Sequence, residues 1–257
     1  MYIRSKAAVA GLVVLGTLAS AQTSTSWAET AGIYQATLVE QGAKTAEVST
    51  EQLRQILRDG SAILLDTRSI AEFEAGHIPG ATVLDAPVAE QVTTVSKLVG
   101  GDRTKALVLY CNGPFCQASR RLAERLAASG FSNVRRYQLG MPVWRALGGP
   151  VAVELAGIKR IHGTDRTAVF IDARAAAEFA AGRIAGTRSA PVDDVISGAL
   201  KKVDLPEDDF NRRIVLFGRD GAQARRLADV MAKRPWHNVA FFPGTYAELV
   251  EALSADN

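Results

Sequence analysis

Residues 63–81 read ILLDTRSIAEFEAGHIPGA, and 106 positions later residues 169–187 read VFIDARAAAEFAAGRIAGT. In this self-match Asp66 pairs with Asp172, Arg68 with Arg174, Glu72 and Phe73 with Glu178 and Phe179, Gly76 with Gly182, and Gly80 with Gly186. A second match follows at nearly the same offset: ALVLYC ending at Cys111 faces RIVLFG ending at Gly218, and each run leads into RRLA. An offset of this size is a domain length rather than a solenoid period, so the chain reads as two copies of one domain.

Each copy alternates short apolar runs with helical patterns. AILLD, AVFID, ALVLYC and RIVLFG lack polar alternation and are short, which predicts strands buried on both faces. STEQLRQIL opens the first copy with Ser49 as a helix N-cap and Gln52 three residues on, a capping-box pattern. A small helix is expected around Glu72 and Phe73 and again around Glu178 and Phe179, and amphipathic helices from about Ser119 and Ala224. The predicted class is α/β, with each domain a mainly parallel sheet flanked by helices. The expected organisation is a signal peptide over 1–28, an N-terminal extension over 29–47, a domain over 48–150, a linker over 151–159 and a second domain over 160–253.

The leader reading rests on Arg4 and Lys6 ahead of an uncharged, largely apolar run over 7–19, with small-residue cleavage sites before Gln22 or Glu29. The run is short for a membrane span, so the expectation is a periplasmic or secreted protein with no stable span after cleavage. Removing Arg4 and Lys6 lowers the net charge from +3 by two, since no acidic residue precedes Glu29. A nearly neutral mature chain gives no electrostatic case for a nucleic-acid partner. With 257 residues of which 47% are hydrophobic, a disordered or collagenous chain is excluded. Two cysteines cannot make a disulfide-stapled mini-fold or a cysteine-rich metal or iron–sulfur site, and His162 and His237 are unclustered, so no metal and no cofactor is expected.

Ligands of open parallel sheets sit beyond the strand C-termini, and in the first copy that position holds Cys111. The chain continues C-N-G-P-F-C-Q-A-S, so a thiol at a strand end faces Asn112, Gly113, Pro114, Phe115, Cys116, Gln117, Ala118 and Ser119 before the expected helix. Backbone N–H groups at a loop entering a helix, with the helix dipole behind them, stabilise an anion there. A free cysteine titrates near about 8.5, and such placement lowers it to roughly 3.5–7.5. Cys111 can therefore be a nucleophile, with those loop residues as its substrate or anion site; from spacing alone it can equally be a small buried hydrophobe.

D-x-R at Asp66 to Arg68, Glu72 with Phe73, GHIPGA over 76–81, the strand–Tyr110–Cys111–loop–helix order and GMPVW over 140–144 together resemble the rhodanese homology domain. The resemblance covers about 48–150, and the repeat carries it to about 160–253. It implies a sulfurtransferase whose cysteine, here Cys111, accepts a sulfane sulfur from a donor such as thiosulfate and passes it to a thiol or cyanide. It also implies Asp66 and Arg68 as structural supports. His77, whose counterpart is Arg183, is read as structural too. The substrate would be a small sulfur-containing anion or thiol, with a protein sulfur acceptor or reductant as partner.

Three departures stand out. The loop over 112–118 reads as two residues longer than the common five, and it lacks a terminal Arg. That length also resembles dual-specificity phosphatases, but those need an Arg near Ala118 to clamp phosphate. Cys116 permits a persulfide on Cys111 to be resolved to an intraloop disulfide, so a dithiol/disulfide redox protein is the alternative, beside a non-catalytic sulfur- or anion-binding module. The second copy has Gly218 in place of the thiol and is expected to serve as a structural scaffold or substrate-cleft partner, or as a small-anion module using Arg219 and the loop amides, with the scaffold favoured.

Overall fold

The computed structural model describes residues 44–165, 167–198, 209–233, 235–236 and 238–254. The leader and His237 lie outside the described residues.

The first copy is a five-stranded, wholly parallel sheet. Its strands are Ala46–Glu47 (β1), Ile63–Asp66 (β2), Thr82–Val83 (β3), Leu107–Tyr110 (β4) and Val134–Tyr137 (β5), in the order β1-β5-β4-β2-β3. The second copy has Val169–Asp172 (β6), Arg188–Ser189 (β7), Ile214–Phe217 (β8) and Val239–Phe241 (β9), in the order β7-β6-β8-β9, again parallel. The four apolar runs are the paired central strands β2, β4, β6 and β8. They are buried almost throughout, which is why they carry no polar alternation.

The opening helix Thr50–Asp59 carries the expected capping box: the Ser49 hydroxyl accepts from the Gln52 N–H, and the Gln52 side chain accepts from the Ser49 N–H. Helices Ile70–Ala75 and Ala176–Ala181 follow the two D-x-R turns, as the repeat predicts.

Two expectations change. The extension over 29–47 ends in β1, which adds an edge strand beside β5. The linker over 151–159 is also no tether. Ala152 bridges in parallel to Phe241 at the place that Ala46 holds against Arg135, the same 106-residue offset as the sequence repeat. Helix Leu155–Arg160 then takes the place of the first copy's opening helix. These residues are the start of the second copy, and Val151, Ala152 and Val153 are buried. A two-residue edge strand has no periodicity to betray it, and the second opening helix lacks the Ser-x-x-Gln signal of the first.

Ala152 also pairs antiparallel with His77, each donating its N–H to the other's carbonyl at 2.9 Å. One apolar cluster joins the copies, with Leu53, Val108 and Trp144 from the first and Phe170, Val215 and Phe242 from the second. Each copy keeps a further cluster on its other face. No helix among the described residues is long and apolar enough to cross a membrane.

Candidate active site

Cys111 follows β4 directly and is 3% exposed, while Cys116 is half-buried and Phe115 between them is 97% exposed. The helix behind the loop is Gln117–Ala128, so Gln117, Ala118 and Ser119 form its first turn. The loop proper is therefore 112–116, and the two extra residues expected from the sequence belong to the helix. That reading had placed the helix start at Ser119, because Gln117 and Ala118 are exposed and add nothing to the apolar stripe. Cys111 and Cys116 are joined as a disulfide, with their Cα atoms 6.1 Å apart.

The loop is held from behind by the turn after β5. The Met141 N–H donates to the Cys111 carbonyl at 3.1 Å, and the Cys116 N–H to the Gly113 carbonyl at 3.0 Å. Gly140, at φ 62°, comes so close that a Cβ there would lie 2.3 Å from the Cys111 oxygen and 2.4 Å from the Gly113 nitrogen. Asn112 donates to Glu72 at 2.5 Å. The Glu72 carboxyl is held below its ordinary value, first by the Ser69 hydroxyl and also by Asn112, so it is an anion that fixes the near end of the loop.

Beneath the site the D-x-R motif works as a bracket. Asp66 accepts from the Arg68 backbone and guanidinium and from the Tyr110 hydroxyl, the last at 2.5 Å. Arg68 reaches on to the Gly76 carbonyl at 2.8 Å, and Tyr110 accepts from the Ile78 N–H at 3.2 Å. Burial drives the Tyr110 phenol far up, so it stays a neutral donor to Asp66. His77 stacks on Phe73 at 3.8 Å, holds the Phe73 carbonyl at 3.0 Å and faces Glu154 at 3.5 Å. Asp66, Arg68 and His77 thus order the GHIPG turn and the residue before Cys111.

Not every arginine of the first copy lies on a solvated surface. Arg136 lies on β5, fully buried, with its guanidinium 3.5 Å from the Ser119 hydroxyl. It shares a strand face with Gln138, also buried, whose Nε2 has no protein partner. Alternation from Val134 could have found this buried pair, with Arg136 beside the first helical turn; their polar character hid it. Trp144 is core, donating to the Pro150 carbonyl, and His162 packs edge-on against Phe170.

The two copies also differ at the helix that follows the loop. In the first copy Cys116 is the N-cap of Gln117–Ala128 and makes no side-chain cap bond to the first-turn amides. In the second, Asp220 caps helix Gly221–Met231, accepting from the Gln223 N–H at 2.8 Å, and the Gln223 side chain accepts from the Arg219 N–H at 2.8 Å. Arg219 itself pairs with Glu178 at 3.3 Å, and a Cβ on Gly221 would lie 1.9 Å from the Pro243 oxygen. In the second copy these bonds occupy the Arg219 and Gln223 N–H groups, and the Arg219 guanidinium has Glu178 as its partner.

The Rhodanese-like domain model matches residues 49–147 and 157–252. The chain belongs to the rhodanese-like family. It carries the domain twice. A thiosulfate sulfurtransferase, GlpE of Pseudomonas savastanoi pv. phaseolicola, is 32% identical over 92 residues, which is 36% of this chain and 80% of that protein. An HTH-type transcriptional regulator of Mycobacterium tuberculosis is 34% identical over 110 residues, 43% of this chain and 46% of the regulator. The crystal structure of a thiosulfate sulfurtransferase from Pseudomonas aeruginosa is 23% identical with a TM-score of 0.37, covering 80% of this chain and 44% of that one. The chain thus spans under half the length of the regulator and of the crystallised enzyme. Rhodanese-like domains with sulfurtransferase relatives place the chain in a sulfurtransferase family.

Proposed function

We propose that the chain is an exported sulfurtransferase that moves a sulfane sulfur from a donor such as thiosulfate to a thiol or cyanide acceptor through a persulfide on Cys111. The observation that carries this reading is the contrast between the copies: the helix behind the cysteine is left without a side-chain cap, whereas the cysteine-free copy fills the same place with Asp220. Uncapped amides at a helix start favour negative charge, both on the Cys111 sulfur and on an anionic donor in front of it. The Cys111 thiolate attacks the outer sulfur of thiosulfate, the sulfur–sulfur bond breaks and sulfite leaves. An acceptor nucleophile then takes the outer sulfur and returns Cys111 as a thiolate.

Reduced, mature protein should transfer sulfur from thiosulfate to cyanide, and Cys111→Ser should abolish it; a Cys111→Ser variant of undiminished activity overturns the assignment. The disulfide favours a second reading, a dithiol/disulfide redox protein. On that reading Cys116→Ser damages activity as much as Cys111→Ser, and thiosulfate neither leaves sulfur on either variant nor releases sulfite from the wild type.

A further inference from the structure

The two sulfurs of the loop are not equivalent. Cys111 is 3% exposed at the end of a core strand, whereas Cys116 is half-buried at the helix start beside the protruding Phe115. A thiolate attacking a disulfide must approach one sulfur directly, and the outcome depends on access and on how well the other sulfur leaves. Access selects Cys116, and the expelled Cys111 thiolate is left beside the residue that opens a helix with no side-chain cap bond. Cys116 also bonds Cys111, closing a ring over residues 111–116, with the Cys116 N–H on the Gly113 carbonyl, so the folded loop brings its sulfur to the inner sulfur of any Cys111 persulfide.

We propose that Cys116 is a resolving thiol that discharges the Cys111 persulfide as sulfide, and that a dithiol reductant reopens the loop by attacking the Cys116 sulfur. This rests on the Cys111 persulfide of the preceding section. The Cys116 sulfur attacks the inner sulfur, the Cys111 disulfide bond to Cys116 forms, the persulfide bond breaks and the Cys116 proton leaves with the outer sulfur as hydrosulfide. The dithiol then attacks Cys116, expels Cys111 as a thiolate, and closes its own disulfide to release Cys116. Thiosulfate and a dithiol thereby give sulfite, hydrosulfide, a proton and the oxidised dithiol. The two electrons come from the dithiol, and the sulfur needs no carbon or nitrogen acceptor.

The test is a single turnover of reduced protein, freed of added thiol, with thiosulfate. Wild type should release one equivalent each of sulfite and sulfide and end about 2 Da lighter, whereas Cys116→Ser and Cys116→Ala, checked for folding by circular dichroism, should release sulfite alone and retain about 32 Da. A wild type that keeps the added mass and yields no sulfide overturns the resolving role while leaving the persulfide reading intact. Absence of sulfite from wild type overturns both. For reopening, oxidised wild type treated with glutathione should carry glutathione on Cys116 with Cys111 open to alkylation; glutathione on Cys111 overturns the entry point.

Discussion

At the scale of single residues, Gly140 is held tightly against the cysteine loop. Its left-handed φ and its approach to the Cys111 carbonyl leave no room for a methyl group. Gly140→Ala should cost at least about 1–3 kcal/mol in stability, from strain and from a displaced loop. Sulfur transfer should fall more than tenfold, read as a lowered unfolding midpoint together with the thiosulfate–cyanide assay. The Asp66–Arg68–Tyr110 bracket was legible in outline, because D-x-R recurs at the repeat offset. Its third member was not. Tyr110 reads simply as the last apolar residue of a strand, and its partner at the repeat offset is Phe217, which cannot make the bond to an Asp.

At the scale of the element, the helix start distinguishes the two copies, since Asp220 caps one helix and Cys116 leaves the other without a side-chain cap bond. Asp220→Ala removes the cap of helix Gly221–Met231 and should destabilise by about 0.5–2 kcal/mol, without altering sulfur transfer at Cys111. Chemical denaturation and the transfer assay measure the two arms, and a loss of activity at unchanged stability would contradict the scaffold role. The sequence made the asymmetry of the cysteines plain, but not the asymmetry of the caps. Reading Asp220 as a cap needs the helix to begin at Gly221, and boundaries are what periodicity determines least well, because the first turn of a helix can be polar on every side. The same error lengthened the cysteine loop by two residues, since Gln117 and Ala118 look like loop until their backbone is seen.

At the scale of the whole molecule, the two copies are joined by main-chain bonds and close helix contact. Gly157 in Leu155–Arg160 sits where a Cβ would lie 2.0 Å from the Glu74 carbonyl oxygen of the first copy, and Arg160 donates to the Glu74 carboxylate at 2.7 Å. Helix propensity alone predicts that Gly157→Ala stabilises by about 1 kcal/mol. The packing predicts the opposite sign, a lowered melting temperature with faster amide exchange along Ile70–Ala75. The join is also sensitive to acid. Burial holds the His77 imidazole below its ordinary value, against the opposing pull of the Phe73 carbonyl and Glu154. The unfolded chain takes up a proton below about 6.5 that the folded chain resists, so this contribution is complete above that pH and is lost as pH falls. The slope is at most about 1.4 kcal/mol per pH unit, and urea midpoints from pH about 7 to 5 should be flatter in His77→Gln. The repeat made the domain count and both sheets legible from a single comparison. The join was not, because it uses backbone atoms of Ala152, which every residue but proline possesses.

That residue belongs to two neighbours at once, which bears on any attempt to divide the protein. Cutting the chain ahead of Val151 would strip the first half of the strand that covers His77, and cutting after Val153 would leave the second half with β9 as a bare edge. A bare parallel edge invites pairing with other chains, so separately expressed halves should aggregate or reassociate, and co-expressed fragments that retain residues 151–153 on the second half should complement one another.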